Sequence, residues 1–195
     1  SKDSFGRSFY STSFKFQTLP QTPKLDSIAT RPKVAKLFWK ITDTTNINKF
    51  YIYRDSSIAN STLIDSVSST IRTYSDSTIK EGKRYFYKIE LVNKQYVLSD
   101  FSNTKAANIL VPPSFVSPAN LSNSLVLNQL LKWKKPIQAQ YADIQVAYND
   151  SVFKTTIISK HQSSDSVFLS NANVNRTYYW RLRSTDSLGY GNWSK

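Results

Sequence analysis

The sequence contains no cysteine and no methionine, a single histidine, four glycines, and only two glutamates, Glu81 and Glu90, among its 195 residues. Without cysteine there is no disulfide framework and no thiolate metal site. One histidine, His161 in "SKHQSSDS", cannot assemble a histidine ligand set. A Ser–His–Asp arrangement would have to use that one residue, which reads as a solvated turn histidine. The aspartates lie mostly in polar turns, so paired carboxylates of the glycosidase kind are not expected. None of the four glycines forms a phosphate-cradling pattern. These absences together predict a chain that is not an enzyme and takes no cofactor and no metal. No apolar run approaches the roughly 18 residues of a membrane-spanning helix, and the first twenty residues lack a signal-peptide core. Ser1 in place of methionine predicts a processed or trimmed end.

Acid is the scarcer charge. Lysine and arginine number 26 against 13 aspartates and glutamates, giving a formal net charge of +13. Total charged content, 20%, is below the usual value of about 25%, so the imbalance comes from missing acids more than from added bases. The bases are scattered, with the densest stretches at Lys83-Arg84, Lys132-Trp133-Lys134-Lys135 and Arg181-Leu182-Arg183. They read as solvated strand faces, and nucleic acid is not the expected partner.

What the sequence does contain is period-two alternation. Leu37-Phe38-Trp39-Lys40-Ile41, Phe50-Tyr51-Ile52-Tyr53-Arg54 and Ile144-Gln145-Val146-Ala147-Tyr148 each alternate as half-buried antiparallel strands do. Ser, Thr, Asn and Asp clusters between them favour turns. The one helix-like stretch, 123–132, runs into Trp133 and its end reads as a strand. An internal repeat sets the organisation. Tyr85-Phe86-Tyr87-Lys88-Ile89 returns 93 residues later as Tyr178-Tyr179-Trp180-Arg181-Leu182, and Leu37-x-Trp39-Lys40 returns 94 residues later as Leu131-x-Trp133-Lys134. Pro112-Pro113 separates the copies, and Pro20 and Pro23 precede the first, as short semi-rigid linkers. The predicted domains are 21–110 and 111–195.

These stretches resemble tandem fibronectin type III domains of the bacterial kind, over essentially the whole chain. The first unit carries the resemblance in Leu37-x-Trp39, "FYIYR" and "TYSDSTIKEGKRYFYKI", the second in Leu131-x-Trp133, "YADIQVAYND" and "NVNRTYYWRLRSTDSLG". The resemblance implies an all-β fold of two seven-stranded sandwiches. It also implies core tryptophans at Trp39 and Trp133, and tyrosine corners at Tyr85 and Tyr178 over Ile79 and Ala172. The corner proline common in the family is replaced by Glu81 and Val174.

By the same resemblance, residues 1–20 read as the final strand of a preceding repeat or as an N-terminal tether, and the last strand of 111–195 reads as incomplete. Three arrangements are open: a piece of a longer array; a mature chain tethered behind a lipid-bearing cysteine, since Ser1-Lys2-Asp3 is similar to the start of many Bacteroidota lipoproteins; or a segment at 13–18 that adds a strand to another copy. Asp followed by Ser or Thr and then an aliphatic residue or Thr resembles the O-glycosylation motif of exported Bacteroidota proteins. It would place sugar on Ser27, Thr44, Ser66, Ser77, Ser151, Ser166 and Ser187, although Asp-Ser also begins turns.

The implied function is a non-catalytic spacer, adhesion or protein-interaction module of an exported, cell-surface or outer-membrane assembly. Its partners would be proteins, its anchor a lipid if any. The alternative is a carbohydrate-binding accessory module, which needs exposed aromatics coplanar on one face, with Tyr10, Phe38, Tyr51, Tyr53 and Trp193 as candidates.

Overall fold

The computed structural model describes residues 4–6, 13–14, 16–58, 60–123, 127–170 and 172–194. Every regular element among them is a strand. The first unit contains β1 (Lys24–Arg31), β2 (Val34–Lys40), β3 (Ile47–Asp55), β4 (Thr62–Ser68), β5 (Thr73–Asp76), β6 (Arg84–Asn93) and β7 (Lys105–Asn108). The second contains β8 (Ser114–Ser117), β9 (Gln129–Lys134), β10 (Tyr141–Tyr148), β11 (Ile158–Gln162), β12 (Ser166–Leu169), β13 (Tyr178–Asp186) and β14 (Gly189–Tyr190). Among the described residues no helix is long and apolar enough to cross a membrane.

The first unit packs β1-β2-β5 against β4-β3-β6-β7, the three-on-four order of a fibronectin type III sandwich. Alternation makes the core. Leu25 and Ile28 from β1, and Ala35, Leu37 and Trp39 from β2, meet Phe50, Ile52, Tyr87, Ile89 and Leu91 from the facing sheet. In the second unit Leu131 and Trp133 meet Ile144, Val146 and Leu182 in the same way. Trp39 and Trp133 are 2% and 3% exposed. Each gains up to about 5 kcal/mol from burial. That outweighs the roughly 1–3 kcal/mol lost because neither indole N–H finds an acceptor.

Both tyrosine corners are formed. The backbone N–H of Lys80 donates to the Tyr85 hydroxyl at 3.1 Å, and that of Asn173 to the Tyr178 hydroxyl at 2.8 Å. The missing proline is therefore no obstacle, since the bond needs only the backbone donor five residues upstream.

Among the described residues a second pin exists only in the first unit. Asp76, 1% exposed at the end of β5, accepts from Arg54 Nη1 (2.6 Å) and the Tyr87 hydroxyl (2.9 Å) through Oδ2. Its Oδ1 accepts from the Thr78 N–H and hydroxyl (2.9 and 2.8 Å). One carboxylate thus ties β5 to β3 and β6 in the opposite sheet. Burial pushes the Asp76 carboxyl up, but the bonds from Thr78, Arg54 and Tyr87 together outweigh it and hold it below its ordinary value.

One expectation is revised. His161 is not a turn residue but lies in β11, paired with Asp143 of β10, because Ile158 and Gln162 bracket a short edge strand that its Ser-rich flanks conceal. Half of residues 1–20, read above as a final strand or a tether, lie outside the described residues. Those described from 13 to 20 take no strand, with Phe14 and Phe16 about 90% and 86% exposed. The proline linker is packed: Pro113 is buried, and the Ser184 hydroxyl donates to the Val111 carbonyl at 2.6 Å.

Two stability measurements check these pins. Tyr178→Phe should lower stability by about 1 kcal/mol, read as a shift of the urea midpoint at unchanged slope. Asp76→Asn should cost about 3 kcal/mol at pH 7. Because the folded carboxyl titrates below its unfolded value of about 4, the stability that Asp76 adds is complete above that value and is lost as pH falls through the lowered folded pKa. Wild type and variant should therefore converge in urea stability as pH falls below about 4.

Candidate functional site

The two sandwiches meet through hydrogen-bonded backbone. One sheet runs β11-β10-β13-β14-β1-β2-β5, so strands of the second unit continue into the first. The bridge is narrow: Thr30 of β1 lies parallel to Gly189, and its N–H donates to the Leu188 carbonyl at 2.8 Å. Local chemistry positions both sides. On the first, Pro32 and Lys33 (φ 58°) close β1 onto β2 in a two-residue turn, which brings Thr30 and Arg31 to the unit's end. On the second, Asp186 Oδ1 accepts from the N–H groups of Leu188 and Gly189 (2.8 and 3.0 Å) and shapes the hairpin between β13 and β14.

Glycine is required at the contact. A Cβ at Gly189 would overlap the Thr30 carbonyl, and one at Gly191 would overlap the carbonyl of Leu110. Around this backbone seam, Asn108 Nδ2 donates to Asp186 Oδ2 at 3.3 Å and Asn192 Nδ2 donates to Glu81.

Over the seam runs an alternating stack of rings and guanidinium groups. Arg181 Cζ lies 4.3 Å from the Phe153 centroid and 4.5 Å from that of Trp193. Arg183 lies 4.7 Å from Trp193 and 4.2 Å from Tyr190. Arg31, across the seam on β1, lies 4.5 Å from Tyr190. The order is therefore Phe153, Arg181, Trp193, Arg183, Tyr190, Arg31. Each such contact contributes about 0.5–1 kcal/mol at a partly exposed site. Gln145 fixes Arg181 through Nε and Nη2 (2.9 and 2.6 Å), and Asp143 fixes Arg183 through Nε (2.7 Å). Asp143 Oδ1 is also 2.6 Å from His161 Nδ1.

Trp193 is held by a motif repeated between the units. The Leu182 N–H donates to the Ser194 hydroxyl (2.9 Å) and the Ser194 N–H to the Leu182 carbonyl (2.6 Å). In the first unit Ile89 and Ser102 exchange the same pair of bonds (2.9 and 2.8 Å). Phe101 then stands where Trp193 stands, with Lys88 over its ring at 5.5 Å. The sequence carries this signal as Phe101-Ser102 and Trp193-Ser194, at nearly the spacing of the other repeat anchors.

The aromatic candidates do not form one platform. Phe38 lies on β2, Tyr51 and Tyr53 on β3 of the facing sheet, and Trp193 in the second unit; Tyr10 lies outside the described residues. All four are only partly exposed. Lys36 covers Phe38 at 5.4 Å and Lys49 covers Tyr51 at 5.0 Å. Tyr53 packs edge-on against Phe101 and donates to Glu90 at 2.7 Å.

Of the candidate glycosylation positions, Ser27, Thr44, Ser66, Ser77, Ser151 and Ser187 are exposed and Ser166 is half-buried. At Asp43, Asp76, Asp150 and Asp186 the aspartate accepts from the backbone N–H two residues on, the turn role of an Asp-Ser pair.

No protein-family model and no curated protein matches the chain. Among solved structures it is similar to the chicken CNTN1 FN1–FN3 domains, at 16% identity over 95% of this chain and 68% of that one, with a TM-score of 0.48. It is also similar to a pectate lyase from Pectobacterium carotovorum (25% identity, 45% of this chain, 27% of that chain, TM-score 0.40). A β-1,2-glucanase from Parabacteroides distasonis is a third (20% identity, 48% of this chain, 14% of that chain, TM-score 0.43). The chain spans less than a third of the length of either enzyme. The fold itself rests on strand order and register.

Gly189→Ala should open the seam while leaving both cores folded. In amide hydrogen exchange the Thr30 N–H should lose its protection, and the Ile52 and Ile144 amides should keep theirs.

Proposed function

We propose that this chain is a non-catalytic β-sandwich module of an exported bacterial protein, acting as a spacer that holds contact surfaces at fixed reach and orientation in a cell-surface or outer-membrane assembly. The observation that carries this reading is the packed seam. Contacts between domains of one chain resemble transient interfaces and leave relative motion as the default. Here the backbone of β14 bonds to β1, two glycines admit carbonyls where no Cβ fits, and a stack of rings and guanidinium groups crosses from one unit to the other. Such a joint fixes an angle, which a spacer needs and a flexible tether does not.

Two further features support the reading. His161 is exposed on β11, directed onto Asp143, which also holds Arg183, and packed beside the Tyr141 ring. Neutral sugar stacking loses support from the cations seated on the candidate rings.

The absence of cysteine makes the test direct, because two introduced thiols are the only ones to label. With spin labels at Gln95→Cys and Asn175→Cys, both exposed and on different units, double electron–electron resonance should give a single narrow distance distribution. A distribution as broad as that of a freely jointed pair would contradict the spacer reading.

A further inference from the structure

We propose that the outer face of the joined sheet, from Arg181 and Arg183 across the seam to Arg31 and Lys36, binds an anionic polysaccharide, whose acidic groups meet the cations while the rings serve to hold those cations in place. This goes beyond the spacer reading and does not depend on it.

Register places these side chains on one face. Asp143 pairs with Arg183, and Gln145 with Arg181, between β10 and β13, while the alternate pair Ile144 and Leu182 points into the core. Across the seam, Ala29 pairs with Lys36 and Ser27 with Phe38, while Ile28 and Leu37 point inward. Tyr190 touches both Arg183 and Arg31, so the two outward faces are continuous.

The face has fewer acids than bases: beside Asp143, Asp26 is paired with Lys40 and Asp150 lies near Arg181. Among the described residues Arg181 donates to the neutral Gln145, Arg31 to its neighbouring carbonyl of Thr30, and Lys36 sits over Phe38. Arg183 has one carboxylate, Asp143, which it shares with His161. Burial, then the adjacent Arg183, disfavours the charged form of Arg181, and Asp150 partly offsets them. Stacking between rings also fixes each guanidinium plane in advance, which lowers the entropy cost of presenting its free edge to a carboxylate.

The dimensions call for a polymer. Residues two apart on a strand are separated by about 6.6–7 Å, and three strand steps from β13 to β2 span about 14 Å. One small anion meets one or two of these groups, and a chain of repeated charges meets all of them. The remaining anionic classes fit less well. Bases need open ring faces to stack on, and these are occupied by cations. An added peptide strand needs a free sheet edge, whereas this face lies inside a hydrogen-bonded sheet. A bilayer needs apolar side chains to insert, and Phe38 and Trp193 are only partly exposed.

The test is isothermal titration calorimetry of the 195-residue chain with polygalacturonate and alginate at low salt. Dextran serves as the neutral control, with oligo-dT and phosphatidylglycerol vesicles as the competing anions. Binding to the acidic polysaccharides, none to dextran, and weakening with added salt are expected. Arg181→Gln and Lys36→Gln should each weaken binding about tenfold, as the loss of a charged hydrogen bond does. Arg181→Lys should lie between, and Lys132→Gln on β9 of the opposite sheet should change nothing. Lys36 makes no contact across the seam, so its variant separates binding from joint stability. Absence of binding, equal loss in Lys132→Gln, or tighter binding to oligo-dT or vesicles would overturn the proposal.

Discussion

Cations in this protein have too few carboxylates to pair with, and they settle on aromatic faces instead. With 26 basic and 13 acidic residues, ion pairing cannot satisfy most lysines and arginines. Among the carboxylates that do pair, Asp76 lies between the sheets of the first unit and Asp143 beneath Arg183. Elsewhere Arg54 lies over Tyr85, Arg72 over Phe50, Lys49 over Tyr51 and Arg84 over Phe86. The stack from Phe153 to Arg31 is this same preference extended across a domain boundary. An Arg–ring contact gives away less on desolvation than a buried ion pair, because guanidinium is weakly hydrated and the ring face carries no ionic shell to lose.

The two units solve the same folding problem with different polar parts. Both bury one tryptophan with its indole N–H unsatisfied, and both close a tyrosine corner on a backbone N–H. Only the first adds a buried carboxylate that binds the two sheets together. In the second, the polar investment lies on the outer face, where Gln145, Asp143 and Ser194 hold the arginines and the tryptophan of the stack. The first unit is thus braced through its core, and the second is braced against its neighbour.

The sandwiches were legible in the sequence because their determinants are local. Period-two alternation at Leu37-Phe38-Trp39 and the upstream reach of Tyr85 and Tyr178 operate within a few residues, and the internal repeat doubled the signal. The seam was not legible. Its partners, Thr30 with Gly189, Leu110 with Gly191 and Arg31 with Tyr190, lie far apart in the chain, and nothing in "RPK" or "LGYGNW" alone names the other. Arg181-Leu182-Arg183 reads as a solvated strand face until the positions of Trp193 and Tyr190 are known. Asp76 was concealed by its own sequence, since Asp-Ser-Thr starts turns and here does that as well as filling a buried site. Pro112-Pro113 reads as a semi-rigid linker, and the packing of Ser184 on Val111 shows what holds it.

The central claim is that the seam and its stack couple two sandwiches into one mechanical body. Differential scanning calorimetry tests it most directly, with the wild-type chain compared with a Tyr190→Ser variant that interrupts the stack at the boundary. Coupling predicts one cooperative transition in the wild type, with calorimetric and van't Hoff enthalpies equal, and two separated transitions in the variant. Two transitions in the wild type, at the same temperatures as in the variant, would contradict it.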